Sequence, residues 1–211
     1  MRPMLEIDLP YILVDGRRFR GDVRKIEDLR PVLMDNLSEE GDAYYMFRDV
    51  RPVHETLRYD ITVMPARILG REFIKTMGHY HDGPYPEIYG ILRGEAIFIL
   101  QKRAGRDEVL DDLVLIRAKE GEIVRIPPYY GHVTVNPSKS MLVLENIICR
   151  KCRSDYEPYI RMRGSAIYVT VDGIVRNNRY LYVPKLREEK PDKGEIFSLD
   201  LKDLLKLCPY Q

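Results

Sequence analysis

The pattern of hydrophobic and polar residues changes at about residue 44. Before that point, residues 4–20 predict short strands around an Asp-Gly turn. Residues 22–35 predict a short helix because apolar residues recur there at helical spacing, although Pro31 disfavours a helix interior. We therefore expect strands and one short helix in the N-terminal segment, residues 1–43.

Residues 44–184 show a different, regular pattern. Short runs rich in β-branched and apolar residues alternate with turns that contain Gly or Pro, among them EIYGIL, EAIFIL, LVLIRA, HVTVN and MLVLENII. This spacing is typical of an antiparallel sandwich or barrel. A polar linker (185–194) and an amphipathic stretch (199–207) follow as a C-terminal tail, residues 185–211. The sequence thus predicts an all-β protein with one barrel domain and two flanking extensions.

Composition narrows the possible functions. The chain has 211 residues, of which 45% are hydrophobic, which suits one folded domain and excludes wholesale disorder. The 34 Lys and Arg are balanced by 33 Asp and Glu, whereas a nucleic-acid-binding protein usually has a basic excess. Abundant charge and few Gln are typical of a thermophile.

The sequence shows no signal-peptide pattern and no apolar run near the ~20 residues of a membrane span. We expect a cytoplasmic protein with neither membrane nor nucleic acid as a partner. Its three cysteines cannot form a disulfide framework. Cys149 and Cys152 form a lone CxxC, which we interpret as two reduced thiols without a shared function.

Histidines and one carboxylate recur at positions that suit a metal site. His79 and His81 are two residues apart, so on a strand both rings project from one face. Glu87 follows a turn, and His132 opens a later strand. Three imidazoles and one carboxylate suit a divalent Fe, Mn, Ni, Co or Zn ion and leave coordination positions open for substrate.

The order of these residues resembles the two-part cupin signature. The first part runs from Phe73, where cupins have Gly, to Gly94, and the second runs from Gly121 to Asn136. Within cupins, the motifs T-x-G-H-x-H, E-x-Y and P-P-Y-x-x-H resemble the archaeal-type glucose-6-phosphate isomerase family. The resemblance implies a single cupin barrel, a double-stranded β-helix or jelly-roll, that forms a homodimer. It also implies one divalent metal per subunit, above all Fe²⁺.

The family's activity is the interconversion of glucose 6-phosphate and fructose 6-phosphate. The resemblance assigns metal ligands to His79, His81, Glu87 and His132, and catalytic roles to Glu87, His132 and Tyr89. It assigns substrate contacts to Thr62, Thr76, the Gly78 backbone, Tyr156 and Tyr45, with Tyr44 as the alternative to Tyr45. A carboxylate beside the sugar can move a proton between C1 and C2 through an enediol. A hydride shift remains the alternative route.

Two positions depart from the family pattern, and two other functions stay open. Ser154 stands where the family has a histidine, and Ile148 where it has a tyrosine. Lys75 alternates with Thr76 along a strand, so we expect it to point away from the site as a solvated surface lysine.

The alternative functions are an Fe(II)-dependent cupin dioxygenase, which would need oxygen, and a non-enzymatic sugar-binding cupin, which would bind without turnover.

Overall fold

The computed structural model describes residues 2–209 and is built mainly of antiparallel strands. The strands are β1 (Leu5–Asp8), β2 (Tyr11–Val14), β3 (Arg17–Arg20), β4 (Asp22–Lys25), β5 (Asp42–Arg51), β6 (Leu57–Met64), β7 (Ile68–Leu69), β8 (Glu72–Phe73), β9 (Tyr80–His81), β10 (Glu87–Arg93), β11 (Glu95–Arg103), β12 (Leu110–Lys119), β13 (Glu122–Ile126), β14 (Tyr130–Val135), β15 (Leu142–Cys149), β16 (Ser154–Asp155), β17 (Ile167–Thr170), β18 (Gly173–Arg176), β19 (Arg187–Glu189) and β20 (Asp192–Lys193). The helices are α1 (Ile26–Leu29), α2 (Glu157–Arg161) and α3 (Leu201–Leu205), with 3₁₀ turns at Arg30–Val32 and Ile196–Ser198. None of the helices in the described part of the chain is both long and apolar enough to span a membrane.

Two sheets make up the barrel. The larger has the strand order β20-β13-β10-β15-β6-β5-β4, and the smaller has the order β14-β11-β12-β19. One apolar core contains buried side chains of both sheets, and Phe98 and Leu144 are among its members. The arrangement is an open jelly-roll, so the all-β jelly-roll fold expected from the sequence is confirmed.

The N-terminal segment differs from its prediction in the length of the helix. The β2–β3 hairpin turns at Asp15-Gly16, where both residues have positive φ, as expected for a two-residue hairpin turn. Residues 22–25, however, form β4 and join the larger sheet. Pro31 lies in the 3₁₀ turn that follows the four-residue α1. Proline has no N–H and disfavours a longer helix at this point.

A second apolar cluster lies on the opposite face of the larger sheet. It contains Ile12 of the N-terminal sheet and Leu204 of α3 together with buried residues of the sheet itself. The Tyr59 and Phe197 rings pack with their centroids 5.0 Å apart. The flanking segments therefore cover a face that would otherwise expose apolar side chains. The boundaries 1–43, 44–184 and 185–211 stay a prediction.

The C-terminal tail contains more structure than its polar sequence indicated. Strand β19 pairs in parallel with β12, and β20 pairs with β13, so the predicted linker 185–194 adds an edge strand to each main sheet. The amphipathic stretch 199–207 does contain a helix, α3. Its N-terminus is capped by a hydrogen bond that the Lys202 N–H donates to the Asp200 side chain. Backbone hydrogen bonds, which a hydropathy pattern does not report, hold these short strands in place.

The prediction of reduced thiols is wrong for Cys149. Cys149 at the end of β15 forms a disulfide with Cys208, and Cys152 is free and partly buried. The partners are 59 residues apart, so their spacing gave no signal of the pairing. The bond joins the C-terminal segment to the sheet whose outer face it covers.

The prediction of a solvated Lys75 is also wrong. Lys75 is 3% exposed and forms an ion pair with Glu72, which is 1% exposed. Its Nζ lies 4.8 Å from the centroid of the Tyr168 ring. The expected alternation with Thr76 holds, because Thr76 lines the cavity described below and Lys75 does not, but the side of the chain that carries Lys75 is buried as well. Lys75 therefore points into the protein rather than into solvent.

Candidate active site

The four predicted metal ligands come together inside the jelly-roll. The ligand atoms of His79, His81, Glu87 and His132 all lie within 4.8 Å of one another. His81 ends β9, Glu87 begins β10, and His132 lies in β14. His79 forms an antiparallel bridge with His132, whose N–H donates to the His79 carbonyl at 3.0 Å. Three separate parts of the chain therefore meet at this cluster.

Gly78 permits the close approach of the loop that carries the first two histidines. Its φ is +78°, a conformation that L side chains rarely adopt. A Cβ atom at this position would lie 2.5 Å from Val133 and 2.8 Å from the Tyr159 ring. The chain therefore needs glycine directly before His79 to bring this loop against β14.

Hydrogen bonds fix the orientation of two of the ligands. His81 Nδ1 is 2.6 Å from the Tyr85 carbonyl oxygen, which directs Nε2 toward the cluster. Glu87 Oε1 accepts a hydrogen bond from Asn146 Nδ2 at 2.7 Å, and this leaves Oε2 facing the histidines. Glu87 Oε2 lies 3.3 Å from His81 Nε2 and 3.3 Å from His132 Nε2.

These distances and the unpaired atoms fit a divalent cation. Among residues 2–209, His81 Nε2 and Glu87 Oε2 are buried atoms without a hydrogen-bond partner. Two donor atoms bound at about 2.1 Å to one ion, at tetrahedral or octahedral angles, lie about 3.0–3.4 Å apart. The observed 3.3 Å separations match this spacing. Buried donor atoms without partners are costly unless a ligand satisfies them.

The electrostatics of two of the three histidines, His79 and His132, directly suit ligation. Burial lowers the pKa of His79 and of His132 well below the usual value, so both rings are neutral at neutral pH. A neutral imidazole is the form that binds a metal. Burial also acts to lower the pKa of His81, but Cys152 and the Glu87 carboxylate raise it on balance to about 10. Without a cation, positive charge is thus favoured at His81, beside the Glu87 carboxylate.

A cavity of about 640 Å³, which includes space open to solvent, lies next to the cluster. It is lined by most of the residues that the sequence predicted for substrate and catalysis, namely Thr62, Thr76, Gly78, Tyr89 and Tyr156. Thr76 Oγ1 accepts a hydrogen bond from the Thr134 N–H at 2.9 Å. Its own hydroxyl proton can therefore be donated into the cavity.

The two alternative tyrosines face opposite sides of β5. Tyr44 lines the cavity, and its hydroxyl oxygen accepts a hydrogen bond from the Met77 N–H at 3.2 Å. Tyr45 does not line it and belongs to the second apolar cluster, where its hydroxyl donates to Asp42 at 2.6 Å. The structure therefore brings Tyr44, rather than Tyr45, to the site.

Tyr89 lies between the cavity and the metal cluster. Its hydroxyl is 3.2 Å from His132 Nε2. Burial, aided by the nearby Glu87 carboxylate, raises the pKa of Tyr89 well above the usual value. The phenol is therefore neutral and available as a hydrogen-bond donor to a bound molecule.

Several polar residues at the cavity were missed by the sequence analysis. Arg58 Nε donates to both oxygens of Asp60, at 2.9 Å and 2.8 Å, and both residues line the cavity together with Arg48. Asn146 was also missed, although a polar residue inside the apolar run MLVLENII was a signal that could have found it. The departures Ile148 and Ser154 line the same cavity, so they lie where they can change contacts with a bound molecule.

Comparison with known proteins gives a consistent result over most of the chain. The family model described as glucose-6-phosphate isomerase matches residues 23–185. The protein named glucose-6-phosphate isomerase from Thermococcus kodakarensis is 29% identical to this chain, over 83% of this chain and 93% of that protein. The protein of the same name from Thermococcus gammatolerans is 30% identical, over 83% of this chain and 95% of that protein. The protein of the same name from Pyrococcus furiosus is 24% identical, covering 82% and 92%.

Solved structures give partial likenesses. Oxalate decarboxylase from Lactobacillus farciminis matches with a TM-score of 0.40 and 18% identity, over 52% of this chain and 29% of that chain. The 7S globulin of Momordica charantia matches with a TM-score of 0.41 and 14% identity, over 61% of this chain and 31% of that chain.

Proposed function

The chain belongs to the glucose-6-phosphate isomerase family, and from this premise we propose that it interconverts glucose 6-phosphate and fructose 6-phosphate at a divalent metal centre. The ligands would be His79, His81, Glu87 and His132. The observation that carries the proposal is the convergence of these four side chains beside a cavity, three of them (His81, Glu87 and His132) with a buried atom that has no hydrogen-bond partner in the described part of the chain.

The residues of the chain suit the chemistry of an aldose–ketose isomerisation. When bound, a divalent cation would stabilise the negative charge that develops on the substrate oxygens during the reaction. Glu87 is the proposed base that takes a proton from one of the carbons C1 and C2 and returns it to the other. The Asn146 hydrogen bond to its Oε1 holds the carboxylate in place. Tyr89 donates a hydrogen bond toward the sugar from beside His132.

Glu87 cannot be a tightly bound ligand and a strong base at once, because coordination lowers the basicity of a carboxylate. The hydride shift is the route that avoids this conflict. The two routes are separated by running the reaction in D₂O, since proton transfer through an enediol incorporates deuterium from solvent and a hydride shift does not.

Hydroxyl and backbone donors that line the cavity suit the phosphate group. Thr62 and Thr76 offer hydroxyl donors, and Tyr44 and Tyr156 offer phenolic donors. Gly78 also lines the cavity, and its backbone is a further contact that we propose for the ligand. We propose these groups as the phosphate contacts, with Tyr44 in the place that the sequence gave first to Tyr45.

The test is to mix the purified protein with fructose 6-phosphate and follow formation of glucose 6-phosphate, with and without a chelator. Fe²⁺, Mn²⁺, Ni²⁺, Co²⁺ and Zn²⁺ are then added back separately, and we expect Fe²⁺ to restore turnover. Absence of turnover with every metal would contradict the proposal, and oxygen uptake or sugar binding would then test the dioxygenase and binding alternatives. The homodimer and the cytoplasmic location stay predictions.

A further inference from the structure

Arg24 is a cation that lies behind the proposed phosphate contacts. It is on β4 directly opposite Tyr44 of β5. Its guanidinium carbon lies 5.5 Å from the centroid of the Tyr156 ring, and its side chain also interacts with the Tyr44 hydroxyl. Arg24 therefore contacts two tyrosines that line the cavity, although it does not itself line it.

The Arg24 side chain is incompletely paired. Its Nε is buried and donates no hydrogen bond to any of residues 2–209. Burying an N–H group without an acceptor costs free energy, so a purely structural arginine would be expected to be better satisfied. Asp28 is close enough to interact with the Arg24 charge, but Nε has no acceptor in the described part of the chain, which a bound anion would supply.

The other cations near the cavity are engaged or more exposed. Arg58 is held by Asp60 at 2.8 Å. Arg48 has a side chain that is 44% exposed and lies 3.6 Å from Asp22. The proposed phosphate contacts are themselves neutral hydroxyls and backbone, so a dianion bound there needs a positive charge from behind them.

Tyr44 connects Arg24 with the cavity, because it contacts the Arg24 side chain and also lines the cavity. Its hydroxyl oxygen accepts from the Met77 N–H at 3.2 Å and also meets the Arg24 guanidinium. A hydroxyl oxygen that accepts from two N–H groups keeps its own proton for donation to a further acceptor. The arrangement therefore orients the Tyr44 O–H as a donor toward a ligand.

We infer that Arg24 is a positioning residue for a phosphate group, which it attracts by its charge and through the oriented Tyr44 hydroxyl. The identity of the ligand as a sugar phosphate rests on the proposed function, but the affinity of the site for a phosphate dianion does not. The inference therefore predicts an effect on binding of phosphorylated ligands and little effect on the chemical step.

The test compares Arg24→Gln, Arg24→Met and Arg24→Lys with the wild-type metal-loaded protein. Arg24→Met keeps an apolar stem against the Tyr156 ring, so one neutral variant can replace the other if either folds poorly. The matched control is Arg30→Gln, because Arg30 also has a buried, unpartnered Nε but does not line the cavity. Three quantities are measured: kcat and KM with fructose 6-phosphate, the inhibition constant of inorganic phosphate, and the phosphate-dependent rise in Tm.

We expect the neutral variants to raise KM and the phosphate inhibition constant by about tenfold or more while kcat changes less than about threefold. Arg24→Lys should recover most of the loss, and Arg30→Gln should match the wild type. Values for the neutral variants within twofold of wild type, or a Lys variant as impaired as they are, would overturn the inference.

The outcome also separates the inference from the proposed function. A wild type that turns over normally, with Arg24 variants unchanged in KM and phosphate inhibition, rejects the inference alone. A wild type without isomerase activity, whose phosphate-dependent Tm rise is lost in the neutral variants, rejects the function alone. A wild type with neither turnover nor phosphate binding rejects both.

Discussion

Asn146 donates a hydrogen bond to Glu87 Oε1 at 2.7 Å between the adjacent strands β15 and β10, and thereby turns Oε2 toward the histidines. Removing this donor in Asn146→Ala should weaken metal binding by about 10- to 100-fold, because outer hydrogen bonds orient metal ligands. Competition with a chelator of known affinity measures the change. Asn178→Ala, at an exposed position, is the control, and equal metal affinity in both variants would show that Glu87 needs no such support.

Glu87→Gln and His132→Ala should each remove isomerase activity while the fold persists. Glutamine keeps an oxygen that can accept from Asn146 but loses the negative charge and the basicity, so kcat should fall by about 10²-fold or more. Circular dichroism checks the fold, and metal content is measured on the same samples. Near-wild-type rates in metal-stripped Glu87→Gln would contradict the assigned mechanism.

Tyr44 and Tyr45 offer a matched pair on one strand. Tyr44→Phe should raise KM for fructose 6-phosphate by about three- to tenfold, since it removes a hydroxyl at the cavity and also the acceptor for the Met77 N–H. Tyr45→Phe should leave KM unchanged, because its hydroxyl binds Asp42 on the other side of the sheet. The steady-state kinetics of the two variants decide the point, and the reverse order would restore Tyr45 as the substrate contact.

The metal cluster could be predicted because its signal is local. The H-x-H pair places two rings on one face of a strand, and the motifs around Glu87 and His132 supply the other ligands. An antiparallel β sandwich or barrel was likewise predicted by the repeated short apolar runs, whereas the jelly-roll was implied by the family resemblance. Both predictions depend on patterns that a strand or a turn imposes over a few residues.

The features that the sequence did not predict depend on which distant residues come into contact in the fold. A one-residue change of register exchanges Tyr44 and Tyr45 between the two faces of β5. The pairing of Cys149 with Cys208 requires the tail to return to the sheet over 59 residues. Arg24 lay in a stretch predicted as helix, and it reaches the site only because β4 pairs with β5.

The ion pair of Lys75 and Glu72 should matter for stability because both groups are nearly inaccessible. Lys75→Met leaves the Glu72 charge buried without its cation and should lower the free energy of unfolding by about 3–5 kcal/mol. Urea unfolding measures the loss. Adding Glu72→Gln should recover most of it, since glutamine removes the charge and can still accept the hydrogen bond that Glu72 takes from the Met34 N–H. A double variant no more stable than Lys75→Met would show that the cost comes from packing and not from charge.

The disulfide between Cys149 and Cys208 should stabilise the protein by restricting the unfolded chain. Closing a loop over a separation of 59 residues corresponds to about 4 kcal/mol in the chain-entropy model. Cys208→Ser should therefore unfold at lower guanidinium chloride concentration than the wild type, and Cys152→Ser, which leaves the bond intact, should not. Adding a reductant to the wild type should move its transition toward that of Cys208→Ser, since the covalent link is then absent in both. An unfolding transition of the wild type that is the same with and without reductant would show that the disulfide does not contribute to stability. A lower stability of Cys208→Ser would then come from lost packing, because the Cys208 side chain is only 5% exposed.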